Sequence, residues 1–125
     1  MTPTRETIRW TLLCTPWGTS DTRTPIGSGI VRVETPSHGG YYVPRAVLDR
    51  IPATHQAYAA RWSGSPQWYE EDCAWACVAV AFPEHFPADA LSNARETIAH
   101  YIPTHTHGAP SDDAEALFRL QSAAG

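Results

Sequence analysis

A chain of 125 residues is enough for one compact core and too short for two. Hydrophobic residues make up 42% of it and charged residues 18%, with five Trp, which excludes wholesale disorder. All nine basic residues are Arg and thirteen acids oppose them, for a formal net charge of -4 with His neutral; the missing Lys excludes Schiff-base, phosphate-loop and general-base lysines, and the missing basic surplus excludes a nonspecific nucleic-acid binder.

The N-terminus, Met1 to Arg9, is polar and lacks the apolar core of a signal peptide. No apolar run approaches the ~18 residues of a membrane span, so the expectation is a cytoplasmic, non-membrane protein. Ile8, Trp10, Leu12 and Cys14 alternate with Arg9, Thr11 and Leu13, the period of a strand. The Gly-, Pro-, Ser- and Thr-rich stretch from Thr15 to Ser28 reads as a long loop. Ile30 to Thr35 is β-branched, with Val31 and Val33 on one side and Arg32 and Glu34 on the other. Pro36 to Gly40 reads as a turn, and Gly40 to Val43 resumes extended structure. These segments predict an antiparallel sheet of about three strands.

The remainder reads as helical. Pro44 suits a first helical position before Val47, Leu48 and Ile51, and Pro52 stops that segment. Residues 53–62 predict a short helix with Tyr58 and Trp62 one turn apart, broken at Ser63 to Ser65. Ser65 as N-cap and Pro66 as first residue predict a central helix through Trp68, Glu70, Glu71 and Asp72 into the run CAWACVAVAF, apolar on every side and therefore buried, ending at Pro83. A further helix from about Pro87 to Ile102 carries Leu91, Ala94, Ile98 and Tyr101 inward. THTHGAP is a linker, and Ser111, Asp112 and Asp113 cap a last helix through Leu117, Phe118 and Leu120. The fold class expected is α+β: a small sheet of about three strands on a buried central helix with two to three further helices, one domain over 1–125, with 104–125 as linker and C-terminal helix.

Two segments carry candidate chemistry. In SHGG (Ser37 to Gly40), the glycines let the backbone bend and expose amides, forming a nest for an anion, with His38 beside it as acid, base or ligand; the alternative is a hairpin turn with geometric glycines. In WYEEDCAWAC (Trp68 to Cys77), helical spacing puts Asp72 on the face of Trp68, Trp75, Ala79 and Phe82. A carboxylate buried there needs a partner, Arg or His38, or a raised pKa; the alternative is an acid-rich helix start bonded to loop amides. Cys73 and Cys77, four apart, suggest zinc with His100, His105 or His107, and Cys73 with His38 suggests a nucleophile pair, against the plainer reading as core filler. Three Cys without framework spacing argue against a disulfide scaffold. His55 and His85 read as half-buried or surface residues.

The strand and turn VETPSHGGYYVP followed by RWSGSPQWYEEDCAWACVAVAFPEHF resembles an uncharacterised domain family of bacterial, plasmid and phage proteins. The shared pattern is TPSHGG (Thr35 to Gly40), then WYEED with WA downstream (Trp68 to Asp72, Trp75 and Ala76), over roughly residues 29–103. The resemblance implies no activity. It does imply that the turn and the acidic segment meet in space, with the hairpin tip over the helix start and His38 against Asp72 or Glu71.

The functional expectation is a small acidic binding protein from a phage or other mobile element that inhibits a host nucleic-acid defence complex by occlusion, as an anti-CRISPR protein does. Its partner is a host protein or ribonucleoprotein, without direct nucleic-acid contact, cofactor, metal or catalytic residue. The expected binding residues are His38, Gly39, Gly40, Trp68, Tyr69, Glu70, Glu71 and Asp72. One alternative is a small hydrolase or transferase using His38 with Asp72 or Glu71; the other is a zinc-binding domain. Beyond Arg61 there are nine acids against Arg95 and Arg119, so acidity is concentrated in the helical half.

Overall fold

The β-branched run Ile30–Glu34 and the aromatic pair Tyr41-Tyr42 suit a pleat packed on both faces, and they form the middle of the main sheet. In the computed structural model, which describes residue 9 and residues 11–102, strands β1 (Cys14–Thr15) and β2 (Gly18–Thr19) make a small hairpin. Strands β3 (Thr22–Gly27), β4 (Ile30–Glu34), β5 (Gly39–Tyr42) and β6 (Trp68–Glu70) form a second, fully antiparallel sheet in that order. Helix α1 (Ala53–Ser63) lies between β5 and β6, helices α2 (Trp75–Ala81) and α3 (Ala88–Tyr101) follow β6, and 3-10 turns occur at Arg45–Arg50 and Pro83–His85. The architecture is α+β, as expected. No helix among the described residues is long and apolar enough to cross a membrane.

Alternation in the strands divides the apolar residues between two clusters. Ile30, Tyr41, Val43 and Tyr69 meet Cys77, Val78 and Phe82 on the helical side. Val31, Val33, Tyr42 and Trp68 meet Leu12 and Trp17 on the other. Helices α2 and α3 approach through Ala76 and Ala79 against Ala94, all fully buried, where larger side chains would push the axes apart. Helix α1 ends on Gly64, whose left-handed φ of 87° closes the last turn on the Ala60 carbonyl.

Several sequence expectations are corrected. Trp68–Glu70 is a fourth strand and not the start of the central helix. Cross-strand pairs Tyr42 with Trp68 and Tyr41 with Tyr69 bury four aromatic rings, and they send Trp68 and Tyr69 into opposite clusters, a division that one helical face cannot make. The central helix therefore begins at Trp75, after a turn over residues 71–74. Residues 11–13 are helical where a strand was expected, and the expected loop from Thr15 to Ser28 contains β2 and β3. Tyr101 is 60% exposed, because α3 turns only Ala94 fully inward and half-buries Leu91 and Ile98. Ile8, Trp10, the THTHGAP linker and the last predicted helix lie outside the described residues.

Candidate functional site

The site is built on the turn between β4 and β5. Thr35, a buried hydroxyl, accepts from the His38 amide at 3.0 Å and donates to the His38 carbonyl at 2.7 Å, and its own amide also donates to that carbonyl at 2.7 Å. Four residues are thereby locked into one shape that presents His38. On the neighbouring hairpin, the Thr15 hydroxyl accepts from the Trp17 amide at 3.1 Å and donates to the Gly18 carbonyl at 2.7 Å. That turn holds Trp17 over the sheet, edge-on to Trp68 at 5.6 Å and tilted to His38 at 5.9 Å between ring centroids.

Gly39 and Gly40 do not form an anion nest. Both are strand residues: Gly40 pairs with Val33 on one side and Glu70 on the other, Gly39 pairs with Glu34 and its carbonyl accepts from the Glu71 amide at 3.0 Å, and neither has a left-handed φ. Their missing side chains make room instead. A Cβ on Gly40 would collide with the Trp17 ring and the Tyr69 carbonyl, and one on Gly39 would lie 2.9 Å from a Glu71 carboxylate oxygen.

The acidic segment forms the opposite wall. One Glu70 oxygen accepts from the amides of Cys73 at 2.8 Å and Ala74 at 2.6 Å, and the other accepts from the Asp72 amide at 3.0 Å. Glu70 thus fixes the corner leading into α2. Asp72 is not buried among aromatics: its side chain is 73% exposed, because the corner breaks the helical register that would have turned it inward. His38 lies between Glu71, 3.8 Å from Nδ1, and Asp72, 3.8 Å from Nε2. At that separation neither contact is a hydrogen bond, and both are ion pairs only for the protonated ring.

Beside this wall, Tyr58 and Trp62 project from α1, one turn apart with rings 6.4 Å apart. The result is an open groove of about 550 Å³ between Trp17, Tyr58 and Trp62 on the aromatic side and His38, Glu70 and Asp72 on the polar side. Burial and the nearby Cys73 push the Tyr58 hydroxyl up to about 12. Trp68 and Tyr69 are sheet core, 7% and 0% exposed, and do not face the groove. Trp17, Tyr58 and Trp62 were missed as site residues by sequence reasoning. The one-turn spacing of Tyr58 and Trp62 was legible, but nothing in the sequence linked that pair to the distant TPSHGG turn.

Ser37 and Cys73 also line the groove. Burial and the Glu70 carboxylate raise the Cys73 thiol, the opposite of what a nucleophile needs. Cys77 is fully buried and pushed up to about 12 by burial, His100 is exposed on α3, and among the described residues no group of three metal-type donors includes Cys73 or Cys77. Among the described residues, the group that brings metal-type donors together is His38, Glu70 and Asp72, with ligand atoms within 4.8 Å of one another. Glu70 is already committed to three amides, which leaves two free donors, short of a closed metal site. His105 and His107 lie outside the described residues.

Fold and groove together define a small α+β domain with an acidic and aromatic recess. The chain belongs to a family of unknown function, the Domain of unknown function (DUF7007), whose pattern matches residues 12–119. No curated protein and no solved structure matches it.

Proposed function

We propose that this protein is a binding module that acts by occluding a larger partner, with the groove as its contact site. The observation that carries this reading is the composition of the groove: half-buried Trp17 and Tyr58, exposed Trp62 and an exposed Asp72 carboxylate, beside a cysteine held away from the thiolate form. Aromatic anchors within a polar rim suit protein recognition. The partner class that an acidic occluder suits best is a complex that holds nucleic acid in an Arg- and Lys-lined channel. In a phage or mobile-element setting, this is a host defence complex inhibited in anti-CRISPR fashion. A cytoplasmic location goes with that reading.

A second reading is favoured by one placement. His38 is about a third exposed in the groove, with Glu71 and Asp72 on either side, as a small hydrolase or transferase would require. It lacks an activated nucleophile, since no hydrogen bond joins His38 to Ser37 or Cys73 among the described residues.

The test is capture of a host nucleic-acid-binding complex, identified by mass spectrometry, on the tagged protein, followed by competition with that complex's nucleic acid. Displacement of the nucleic acid by the wild type, weakening with salt and lost in Trp62→Ala, is expected. A partner that keeps its nucleic acid, or capture indifferent to Trp62→Ala, would overturn the proposal.

A further inference from the structure

We infer that the groove is a receptor for a single arginine side chain presented by a protein partner. The inference rests on the binding reading above and specifies the chemistry that the groove takes.

The molecule's own arginines show the pattern. The Arg50 guanidinium lies 4.2 Å over the Phe82 ring and forks onto both Glu84 oxygens at 2.9 and 3.0 Å. The Arg32 guanidinium lies 5.7 Å over the Tyr41 ring and reaches Glu34 at 3.2 Å. In both places an aromatic face and a carboxylate act together on one flat cation. The groove repeats that combination at larger scale, with Trp17, Tyr58 and Trp62 facing Asp72 and the fixed Glu70. None of its lining residues is an arginine, and the chain has no lysine to supply a cation. Trp62 is 63% exposed, a large apolar surface left in water in the same groove as the exposed Asp72 carboxylate.

Guanidinium suits this recess better than ammonium. It is planar and weakly hydrated, so it stacks on an indole face without losing much solvation. Its fork matches a carboxylate, and Asp72 holds one whose nearest ionic neighbour is His38 at 3.8 Å. An anionic ligand is disfavoured by the same residues, because Glu70, Glu71 and Asp72 crowd the polar side.

The experiment uses the full chain and three capped pentapeptides of the form Gly-Gly-X-Gly-Gly, with X as arginine, lysine or citrulline. Binding is followed by tryptophan fluorescence and by NMR shifts of the indole and His38 signals. The arginine peptide is expected to bind in the high-micromolar to millimolar range, the lysine peptide several-fold more weakly, and neutral citrulline not measurably. Trp62→Ala and Asp72→Asn, both at exposed positions where the fold is retained, should each weaken the arginine peptide by about 5-fold or more. Asp89→Asn, remote on α3, should leave it unchanged. Equal binding of arginine and citrulline, or no perturbation of the groove signals by the arginine peptide, would overturn the inference. So would a stronger response of the same signals to magnesium, manganese or zinc chloride, which would assign the groove to a metal. If the peptides fail while Trp62→Ala still abolishes displacement of nucleic acid from the host complex, the occlusion reading stands and the arginine inference falls. Arginine binding without any such displacement gives the reverse.

Discussion

Trp17 occupies the space that a side chain on Gly40 would fill. An added Cβ would collide with the indole and with the Tyr69 carbonyl in the neighbouring strand, and only the indole can move. Gly40→Ala is therefore expected to cost about 1–3 kcal/mol, the usual penalty for overpacking. It should also displace Trp17 and change its fluorescence. Chemical denaturation gives the first quantity and the emission spectrum the second; unchanged stability would mean that the β5 backbone shifts freely.

His55 is a buried imidazole with no partner for either ring nitrogen among the described residues. Burial lowers its pKa below the ordinary 6.5. The unfolded chain then binds the proton more readily than the folded one. Stability is complete above about pH 6.5 and falls as pH drops from there toward the lowered folded value. His55→Leu should remove that slope and raise stability by about 1–3 kcal/mol, by replacing an unsatisfied polar group with an apolar one. Thermal melts of both proteins between pH 7.5 and about 5 check the sign, in a window set by the ordinary His pKa.

Glu84 titrates in a separate window. The Arg50 fork holds its carboxyl down to about 2 from an ordinary 4.5. The folded state keeps Glu84 ionised where the unfolded chain protonates it, so this contribution is present above about pH 4.5 and is lost as pH falls through about 2. Arg50→Lys keeps the charge but loses the fork and the flat contact with Phe82, and should return the Glu84 titration toward its ordinary value. A carboxyl-detected NMR titration reads this directly.

The cysteines should separate by reactivity. Cys14 is exposed, Cys73 is half-buried with its thiol raised by burial and by Glu70, and Cys77 is fully buried and pushed up to about 12. A thiol-disulfide reagent at neutral pH should modify Cys14 first, Cys73 slowly and Cys77 only on unfolding. Rapid modification of Cys77 in the native protein would show an opening motion at α2.

The sequence was most legible where a single local rule decides. Residues 53–62 and the helix from Pro87 to Ile102 were bounded correctly within a residue or two, because Pro52, Gly64 and Pro87 interrupt the chain on either side. The family resemblance implied that His38 meets Asp72 or Glu71, and it lies 3.8 Å from each. The error at Trp68–Glu70 had a physical cause. Ser65-Pro66 is a good helix start and the acids after it suit a first turn, yet the aromatic pairing with Tyr41 and Tyr42 outweighs both, and no local pattern reveals partners 26 and 28 residues away in sequence. Asp72 was misplaced for the same reason, since its burial was inferred from a helix that begins three residues after it.

The corner fixed by Glu70 separates two properties that many binding sites combine. The floor of the groove, Gly40 under Trp17 and the three amides on Glu70, is tied to the sheet, and changes there disturb the fold. The far wall, Tyr58 and Trp62, stands on one helix, with Trp62 largely in water. Substitution at Trp62 can thus reshape the aromatic wall of the groove at little cost in stability.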